Sequence, residues 1–314
     1  MTNLRQMGTL IGLIVIILFF TFRLPETFLT PGNLINISQQ VAMLSVVAFT
    51  MTVVMVMGDF DLSVGSTASL AGIVAAVLFR DHYPVPLALA AALAVGIAGG
   101  LINGALVSYA GILPFVATLG TLTVYSGLAF YISDGATIFG RDIPKAFGDF
   151  ARHGLPVMGL KLPYLTLVAT LVLILTWVLL EHTTYGRRLY AIGGNRQAAH
   201  LAGLRVNRLR LSAFAITGLG AAVAGLMYAS RVASANPTQG AGLMLDAIAA
   251  VFLGMTMGRQ GEPHVLATLV GVLILGILDN GLTQMQVDSY VREMLVGSIV
   301  IAAVAISSFG RDKG

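Results

Sequence analysis

The sequence predicts an all-α membrane protein, a polytopic helical bundle with about ten transmembrane helices. Three observations support this fold class: 57% of the 314 residues are apolar, only 10% are charged, and the mean hydropathy is +0.88. A soluble chain of this composition would expose apolar patches to water, whereas a bilayer solvates apolar helices of about 20 residues. The 36 glycines fit this class, because small residues let helices approach closely in lipid.

Ten apolar windows, separated by short polar or turn-forming segments, are candidate spans. They cover residues 8–22, 35–57, 62–79, 85–110, 112–132, 162–181, 211–229, 243–257, 263–282 and 291–308. Very short separations at 58–61 and 110–113 indicate tight turns or re-entrant segments, and the predicted number of spans is eight to ten. No polar stretch is long enough for a soluble domain, so residues 1–314 are predicted to form a single transmembrane domain.

Basic residues predict the orientation of the chain. Six arginines lie on a short polar loop between residues 182 and 211, and short Arg-rich loops stay on the cytoplasmic side. With ten spans both termini share that side, together with Arg5, Arg259, Arg311 and Lys313. We therefore expect a multi-pass membrane protein with cytoplasmic termini. An orientation signal beside anionic lipid would by itself explain the arginines. A net charge of +4 would suggest a nucleic-acid partner in a soluble protein, but here the arginines alternate with spans, so we expect none.

Composition excludes several kinds of site. The chain has no cysteine, and its five histidines show no metal-ligand spacing. None of the three lysines is followed by the Ser or Thr of a phosphate-binding P-loop. We therefore expect no enzyme, no metal site and no cofactor bound by this chain. A chain of in-span His, Lys and Glu for proton coupling is also missing, so the energy for transport would come from a separate ATPase.

Asp61 and Ser63 are the first candidates for a solute path. They adjoin an apolar run, where a charged side chain costs roughly 2.5 to 3.5 kcal/mol on insertion scales. One interpretation is that either residue caps the next helix by accepting hydrogen bonds from its free N–H groups. The other is that a helix end at membrane depth presents polar groups to a hydroxylated solute. Both interpretations can hold.

Asn103 adjoins a stripe of three glycines. Gly96, Gly100 and Gly104 lie four residues apart and therefore share one helix face. Such a face favours close helix packing, while the Asn103 amide can hydrogen-bond across the interface.

The remaining path candidates lie in two other windows. Phe115 and Thr118 follow Pro114 at the start of the fifth window, where proline is tolerated. A ring and a hydroxyl suit weak sugar contacts and also plain helix packing. Asp246 is an intramembrane carboxylate and thus a functional candidate by default, although no partner base is evident. The predicted solute path comprises Asp61, Ser63, Asn103, Phe115, Thr118 and Asp246.

The polar loop contains a specific motif. It reads Gly186-Arg187-Arg188-Leu189-Tyr190-Ala191-Ile192-Gly193-Gly194-Asn195, followed by Ala198-Ala199 and Ala202-Gly203-Leu204. This motif resembles the cytoplasmic coupling segment of sugar ABC importer permeases of the ribose/xylose/arabinose/galactoside group. Stretches along nearly the whole chain resemble motifs of that family in the same order: Asp61-Leu62-Ser63-Val64-Gly65, Asn103-Gly104, Phe115 with Thr118-Leu119-Gly120, Ala224-Gly225, Arg231 and Leu245-Asp246-Ala247-Ile248-Ala249-Ala250.

The resemblance implies the membrane subunit of an ATP-driven importer that moves a pentose, a hexose or a related polyol by alternating access. It also implies partners: a second permease copy or homologue, two cytoplasmic ATPase subunits that bind ATP-Mg, a periplasmic sugar-binding protein and membrane lipid. In the coupling loop, at about 182–210, a short helix around 191–203 would sit in an ATPase cleft, where small side chains allow close contact. The implied coupling residues are Gly186, Arg187, Ala191, Gly193, Asn195, Ala198, Ala199 and Gly203.

Departures from the family pattern leave alternatives open. Met244 stands where the family usually has Glu, and Asp59, after Gly58, replaces the first of paired glycines before Asp61. The glycine pattern expected over 254–263 is also incomplete. A divergent solute or pairing with a non-identical permease would explain these differences. A permease for branched-chain amino acids and a secondary carrier working alone are the alternative functions.

Overall fold

The computed structural model describes residues 2–157, 160–257 and 262–308. The predictions for Arg259, Arg311, Lys313 and the glycine pattern at 258–261 lie outside the described residues. Thirteen α-helices occur within the described ranges. They are α1 (Thr2–Arg23), α2 (Pro31–Met55), α3 (Val64–Arg80), α4 (Val85–Ser108), α5 (Pro114–Ile132), α6 (Lys145–Arg152), α7 (Tyr164–Trp177), α8 (Thr184–Gly194), α9 (Arg196–Leu201), α10 (Val206–Val232), α11 (Leu243–Met255), α12 (Val265–Gln284) and α13 (Ser289–Ser308).

The ten predicted windows coincide with ten of these helices, α1 to α5, α7 and α10 to α13. The expected class, a polytopic helical membrane protein, is thereby confirmed. Six helices in the described ranges are long and apolar enough to cross a bilayer: α2, α4, α5, α10, α12, and α7 with the π-helical turn Val178–His182 that extends it. The helices α1, α3 and α11 contribute shorter apolar stretches. The helices α6, α8 and α9 lie in the connections between windows.

Two small antiparallel sheets lie at the end of the bundle away from α8 and α9. β1 (Ile138–Phe139) pairs with β4 (Ser234–Ala235), which follows the far end of α10. β2 (Gly154–Val157) and β3 (Leu160–Pro163) form a hairpin that leads into α7. Most of these strand residues lie in the segments between the predicted windows.

The glycine stripe of α4 brings its backbone against α10. A Cβ atom at Gly96 would lie 2.5 Å from the Gly218 carbonyl oxygen, and one at Gly100 would lie 2.2 Å from that of Phe214. A Cβ atom at Gly104 would approach the α10 backbone at Leu211 in the same way. Larger side chains would separate the two helices, so the packing interpretation of the stripe is confirmed.

The helix α2 lies at the centre of the bundle. Its residues from Val41 to its end at Met55 are all buried, and they pack on α7, α10, α11 and α12. The helix ends before Gly58, whose φ of +77° is the left-handed conformation that glycine adopts without strain. The short linker 56–63 then turns the chain back into the bundle, where α3 begins.

The helices α3 and α11 begin close to each other inside the bundle. A Cβ atom at Gly65 would lie 2.4 Å from the carbonyl oxygen of Gly240, and the Gly240 N–H donates to the Ser69 hydroxyl at 2.9 Å. The segment between β4 and α11 therefore folds back against the first turns of α3. This contact places polar backbone next to the linker that carries Asp61.

Candidate functional site

Asp61 organises the turn that leads into α3. The residue is only 1% exposed, and its Oδ1 accepts hydrogen bonds from the Ser63 N–H at 2.9 Å and from the Ser63 hydroxyl at 2.7 Å. Ser63 is the N-cap residue of α3, but its side chain makes no capping hydrogen bond. Asp61 thus stabilises the turn before the helix, and neither side chain caps α3 directly.

Asn103 connects this turn to two further helices. From α4, its Nδ2 donates to the Ser63 hydroxyl at 2.8 Å and to both Asp61 carboxylate oxygens at 3.2 and 3.3 Å. Its Oδ1 accepts from the hydroxyl of Thr121 in α5 at 2.6 Å. All four residues are buried. We call them the Asp61 cluster: it joins α3, α4 and α5, and its hydrogen bonds offset the cost of burying a carboxylate.

The side chains of the other predicted path residues make no hydrogen bond to this cluster within the described structure. Phe115 lies on the outer surface of α5 and is 58% exposed. Thr118 is buried, but its hydroxyl donates to the carbonyl oxygen of Pro114 in the same helix at 2.8 Å. Asp246 is half-buried in the first turn of α11. Sequence reasoning missed Thr121, which lies one turn beyond Thr118 on the same face of α5 and reaches Asn103 instead.

The predicted coupling segment is helical, but it consists of two helices instead of one. Thr183 Oγ1 accepts from the Gly186 N–H at 3.2 Å and so caps α8, and Asn195 Oδ1 accepts from the Ala198 N–H at 2.9 Å and so caps α9. The Asn195 backbone is extended, because a residue that caps one helix cannot continue the previous one. We use the name coupling segment for α8 and α9, residues 184–201.

The inner face of the coupling segment packs on the bundle. Gly186, Leu189, Ile192 and Ala199 are buried. A Cβ atom at Gly193 would lie 2.0 Å from the carbonyl oxygen of Val56, just beyond α2. Gly186 and Gly193 therefore have no room for a side chain because of contacts within this chain. Contact of the small residues Gly193 and Ala199 with a partner stays a prediction.

The outer face of the coupling segment is open. Arg187, Ala191, Asn195 and Ala198 are all exposed, and Arg187 and Ala191, four residues apart, share one side of α8. Gly203 is also exposed, and its φ of +84° is the left-handed conformation that turns the chain towards α10. The predicted coupling residues thus divide into an inner set that holds the segment on the bundle and an outer set that a partner can reach.

Asp59 ties the coupling segment to the linker. This carboxylate is 1% exposed. It accepts two hydrogen bonds from the buried Arg210 of α10, from Nε to Oδ2 at 2.7 Å and from Nη2 to Oδ1 at 2.9 Å. Arg196, the first residue of α9, donates from Nη2 to Asp59 Oδ1 at 2.9 Å and to the Met57 carbonyl oxygen at 3.4 Å. Sequence reasoning noted Asp59 only as a departure from a pattern.

A second contact holds the coupling segment at α12. The Tyr190 hydroxyl lies 2.9 Å from Glu181 Oε1 and 3.1 Å from the carbonyl oxygen of Pro263. His264 Nε2 lies 3.4 Å from the same Glu181 oxygen. Burial, reinforced by the hydrogen bond to Glu181 and its negative charge, raises the pKa of Tyr190 well above its usual value. The hydroxyl therefore remains a hydrogen-bond donor at neutral pH.

A comparison with known families identifies the class of protein. The chain matches, over residues 33–304, the profile of a family described as "Branched-chain amino acid transport system / permease component". The chain belongs to this permease family. The match covers most of the helices described above and both aspartates of the linker. No solved structure gives a significant match to the permease.

The relatives of the permease include several sugar importers. It is 37% identical to the ribose import permease protein RbsC of Bacillus subtilis (strain 168), over 96% of its own length and 92% of the relative's. It is 33% identical to the D-allose transport system permease protein AlsC of Escherichia coli (strain K12), over 95% and 90% of the two chains. With the galactose/methyl galactoside import permease protein MglC of the same organism the identity is 32%, over 100% and 97%.

These comparisons confirm the family resemblance found in the sequence. The relatives are transport permeases, and together with the apolar helices they identify a multi-pass protein of the bacterial inner membrane. Sugar importer permeases recur among the relatives even though the family's description names amino acids.

Proposed function

We propose that this permease is the transmembrane subunit of an ATP-driven importer that brings a sugar or a related polyol into the cytoplasm by alternating access. The observation that carries the proposal is the coupling segment, an arginine-rich pair of helices with one face packed on the bundle and the other open. An open helical face of this kind suits a motor protein that pushes on it. Relatives named as ribose, D-allose and galactose/methyl galactoside permeases support a sugar as the solute.

The proposed topology follows the arginines. One permease domain spans the membrane ten times, with both termini and the coupling segment in the cytoplasm. The outer face of the coupling segment contacts one of two ATPase subunits, which bind ATP-Mg, so the permease itself needs no cofactor. Gly186, Gly193, Ala199 and Gly203 contribute to coupling by shaping and seating the segment. A second permease, either a copy or a homologue, and a periplasmic sugar-binding protein complete the assembly within the lipid.

We place the solute path beside the Asp61 cluster. Its hydroxyl, amide and carboxylate groups can exchange hydrogen bonds with sugar hydroxyls when the surrounding helices separate. Phe115, Thr118 and Asp246 remain proposed path residues that a solute meets away from this cluster. Weak contacts at several places suit a path, because a solute must leave each of them.

Uptake by the reconstituted complex tests the proposal. The permease would be purified with its co-eluting ATPase, placed in liposomes that enclose ATP, and supplied with the binding protein encoded beside it. We expect ATP-dependent uptake of labelled D-ribose, with D-allose and D-galactose as competitors. Equal uptake without ATP would identify a secondary carrier. Uptake of L-leucine but of none of the three sugars would identify an amino acid permease, the alternative that the family description favours.

A pair of matched variants tests the outer face of the coupling segment. Ala198→Trp adds a large ring to the exposed face of α9, and we expect it to abolish ATP-dependent uptake while the permease remains in the membrane. Ala90→Trp makes the same change at an exposed position of α4, away from the coupling segment, and should leave uptake unchanged. Normal uptake by the Ala198 variant would contradict the proposed ATPase contact.

A further inference from the structure

Asp59 is a buried carboxylate that three elements of the permease share. It lies on the linker between α2 and α3, while its two cationic partners belong to α10 and to the coupling segment. In sequence, it replaces a glycine of the family pattern, so the resemblance assigns it no role. The positions of its two arginine partners indicate a role.

We infer that Asp59 is a positioning residue that transmits movement of the coupling segment to the Asp61 cluster. The inference rests on the proposed function, because a motor must move the segment. Asp59 and Asp61 are two residues apart on the linker, and both are buried, as are the residues that follow to Gly65. Tight packing leaves the linker little freedom to absorb a displacement of Asp59, so the displacement should reach the turn formed by Asp61 and Ser63.

Two contacts let the link act in both directions. The backbone of Gly193 abuts the Val56 carbonyl oxygen with no room for a Cβ atom, so a push on α8 reaches the end of α2 directly. The bond from Arg196 to Asp59, at 2.9 Å, resists separation of α9 from the linker. The close contact thus transmits a push on the coupling segment to the end of α2, and the ion pair transmits a pull on the segment to the linker.

The two arginines differ in how firmly they hold Asp59. Arg210 is buried and binds the carboxylate through two nitrogens, the geometry of a strong charge-assisted pair. Arg196 uses one nitrogen, and 45% of its side chain is exposed. Loss of the Arg196 bond alone would therefore disconnect the coupling segment from the linker, while Arg210 keeps the buried charge paired.

Substitution of Arg196 tests the link with little risk to folding. In the reconstituted complex, we expect Arg196→Gln to lower D-ribose uptake per ATP hydrolysed by about tenfold, within the range of coupling between distant sites. Arg196→Lys keeps the charge and should restore most of that ratio. Arg80→Gln is the matched control, because Arg80 also pairs with an aspartate and its side chain is 40% exposed. It lies at the other end of α3 and should leave the ratio unchanged.

Asp59→Asn supplies the second half of the test. It should lower D-ribose uptake per ATP hydrolysed as Arg196→Gln does. The double variant should lose no more of this ratio than the more impaired single variant, because both substitutions break the same ion pair. A normal ratio in Arg196→Gln, or fully additive losses, would overturn the inference. Wild-type uptake that needs no ATP would instead refute the proposed function.

Amide hydrogen exchange of the purified permease tests the link without transport. We expect Arg196→Gln to raise exchange in both the coupling segment and residues 58–63, whereas Arg80→Gln should affect neither. Faster exchange in the coupling segment alone would show that the linker does not follow the segment, and would overturn the inference even if the complex were inactive.

Discussion

Two aspartates on one short linker have the same burial and opposite surroundings. Asp59 and Asp61 are each 1% exposed. Among the described residues, Asp61 accepts hydrogen bonds from the neutral donors Ser63, at the start of α3, and Asn103 of α4, whereas Asp59 is held by two arginines, one of them on the coupling segment. Asp61 therefore helps to hold the helices of the bundle together, whereas Asp59 connects the bundle to the coupling segment, which a partner can move.

The difference matters because a buried carboxylate responds differently to the removal of a neutral donor and to the removal of a cation. A buried carboxylate with several neutral donors loses only part of its support when one donor is removed. A buried carboxylate that loses its principal cation becomes an uncompensated charge. The Asp59 site should therefore be the more sensitive of the two to substitution, and the following experiments can break or sharpen that contrast.

The largest expected effect follows removal of the Arg210 charge. Arg210→Met leaves Asp59 buried beside the half-exposed Arg196 alone, and we expect the free energy of unfolding to fall by about 3 to 5 kcal/mol. Denaturation in detergent measures the change. The control Arg208→Met removes an exposed arginine from the same helix and should change stability by no more than about 0.5 kcal/mol. Equal effects of the two variants would contradict the proposed importance of Asp59.

Gly100 tests whether the two aspartate sites depend on one helix contact. It lies where α4, which carries Asn103, touches α10, which carries Arg210. We expect Gly100→Ala to cost about 1 to 3 kcal/mol of unfolding free energy, because the added methyl group forces the helices apart. Gly120→Ala meets no atom within 4 Å and should be neutral or stabilising by about 0.5 to 1 kcal/mol, as expected of alanine in a helix. The same loss in both variants would exclude helix separation as the cause.

Much of this fold could be predicted from the sequence, because its signals are local. The apolar windows coincide with ten helices, since hydropathy over about 20 residues reports what lipid requires. The spacing of Gly96, Gly100 and Gly104 correctly predicted a packing face. The break between α8 and α9 at Asn195 was not predicted, although asparagine is among the residues that most often cap the N-terminus of a helix.

The site was less predictable because its partners are distant in sequence. Asp61, Ser63 and Asn103 were each selected as unusual polar residues, but nothing local shows that Asn103 reaches across 42 positions to Asp61. Asp59 lies 137 residues before Arg196 and 151 before Arg210. Pairings of this kind depend on tertiary packing. The contact of Gly193 with Val56 was not predicted for the same reason, since Val56 lies in another part of the chain.

Two threonines of α5 sharpen the description of the Asp61 cluster. The Thr121 hydroxyl donates to Asn103 at 2.6 Å and lies 3.3 Å from the carbonyl oxygen of Thr118, whereas the Thr118 hydroxyl donates within its own helix. Both residues are buried. We expect Thr121→Val to cost about 1 kcal/mol more than Thr118→Val, because only the first leaves the Asn103 oxygen without its side-chain donor. Unfolding in detergent measures both. Equal costs would show that the Thr121 bond adds nothing to the support of Asp61.

Tyr190 provides the smallest effect, at a contact of the coupling segment that does not use Asp59. Tyr190→Phe removes the hydroxyl that faces Glu181 and Pro263, and we expect the free energy of unfolding to fall by about 0.5 to 1.5 kcal/mol at pH 8.

The raised pKa of Tyr190 makes this stability difference depend on pH. Below pH 10 the tyrosine is protonated in both the folded and unfolded states, and its contribution is fully present. Above its unfolded-state pKa of about 10 the unfolded chain loses the proton while the folded protein keeps it, so the wild type loses stability that the Phe variant retains. The stability difference between the two proteins should therefore shrink as the pH rises above 10. A difference that grows instead would show that the folded protein stabilises the ionised tyrosine, contrary to the arrangement of Glu181 beside it.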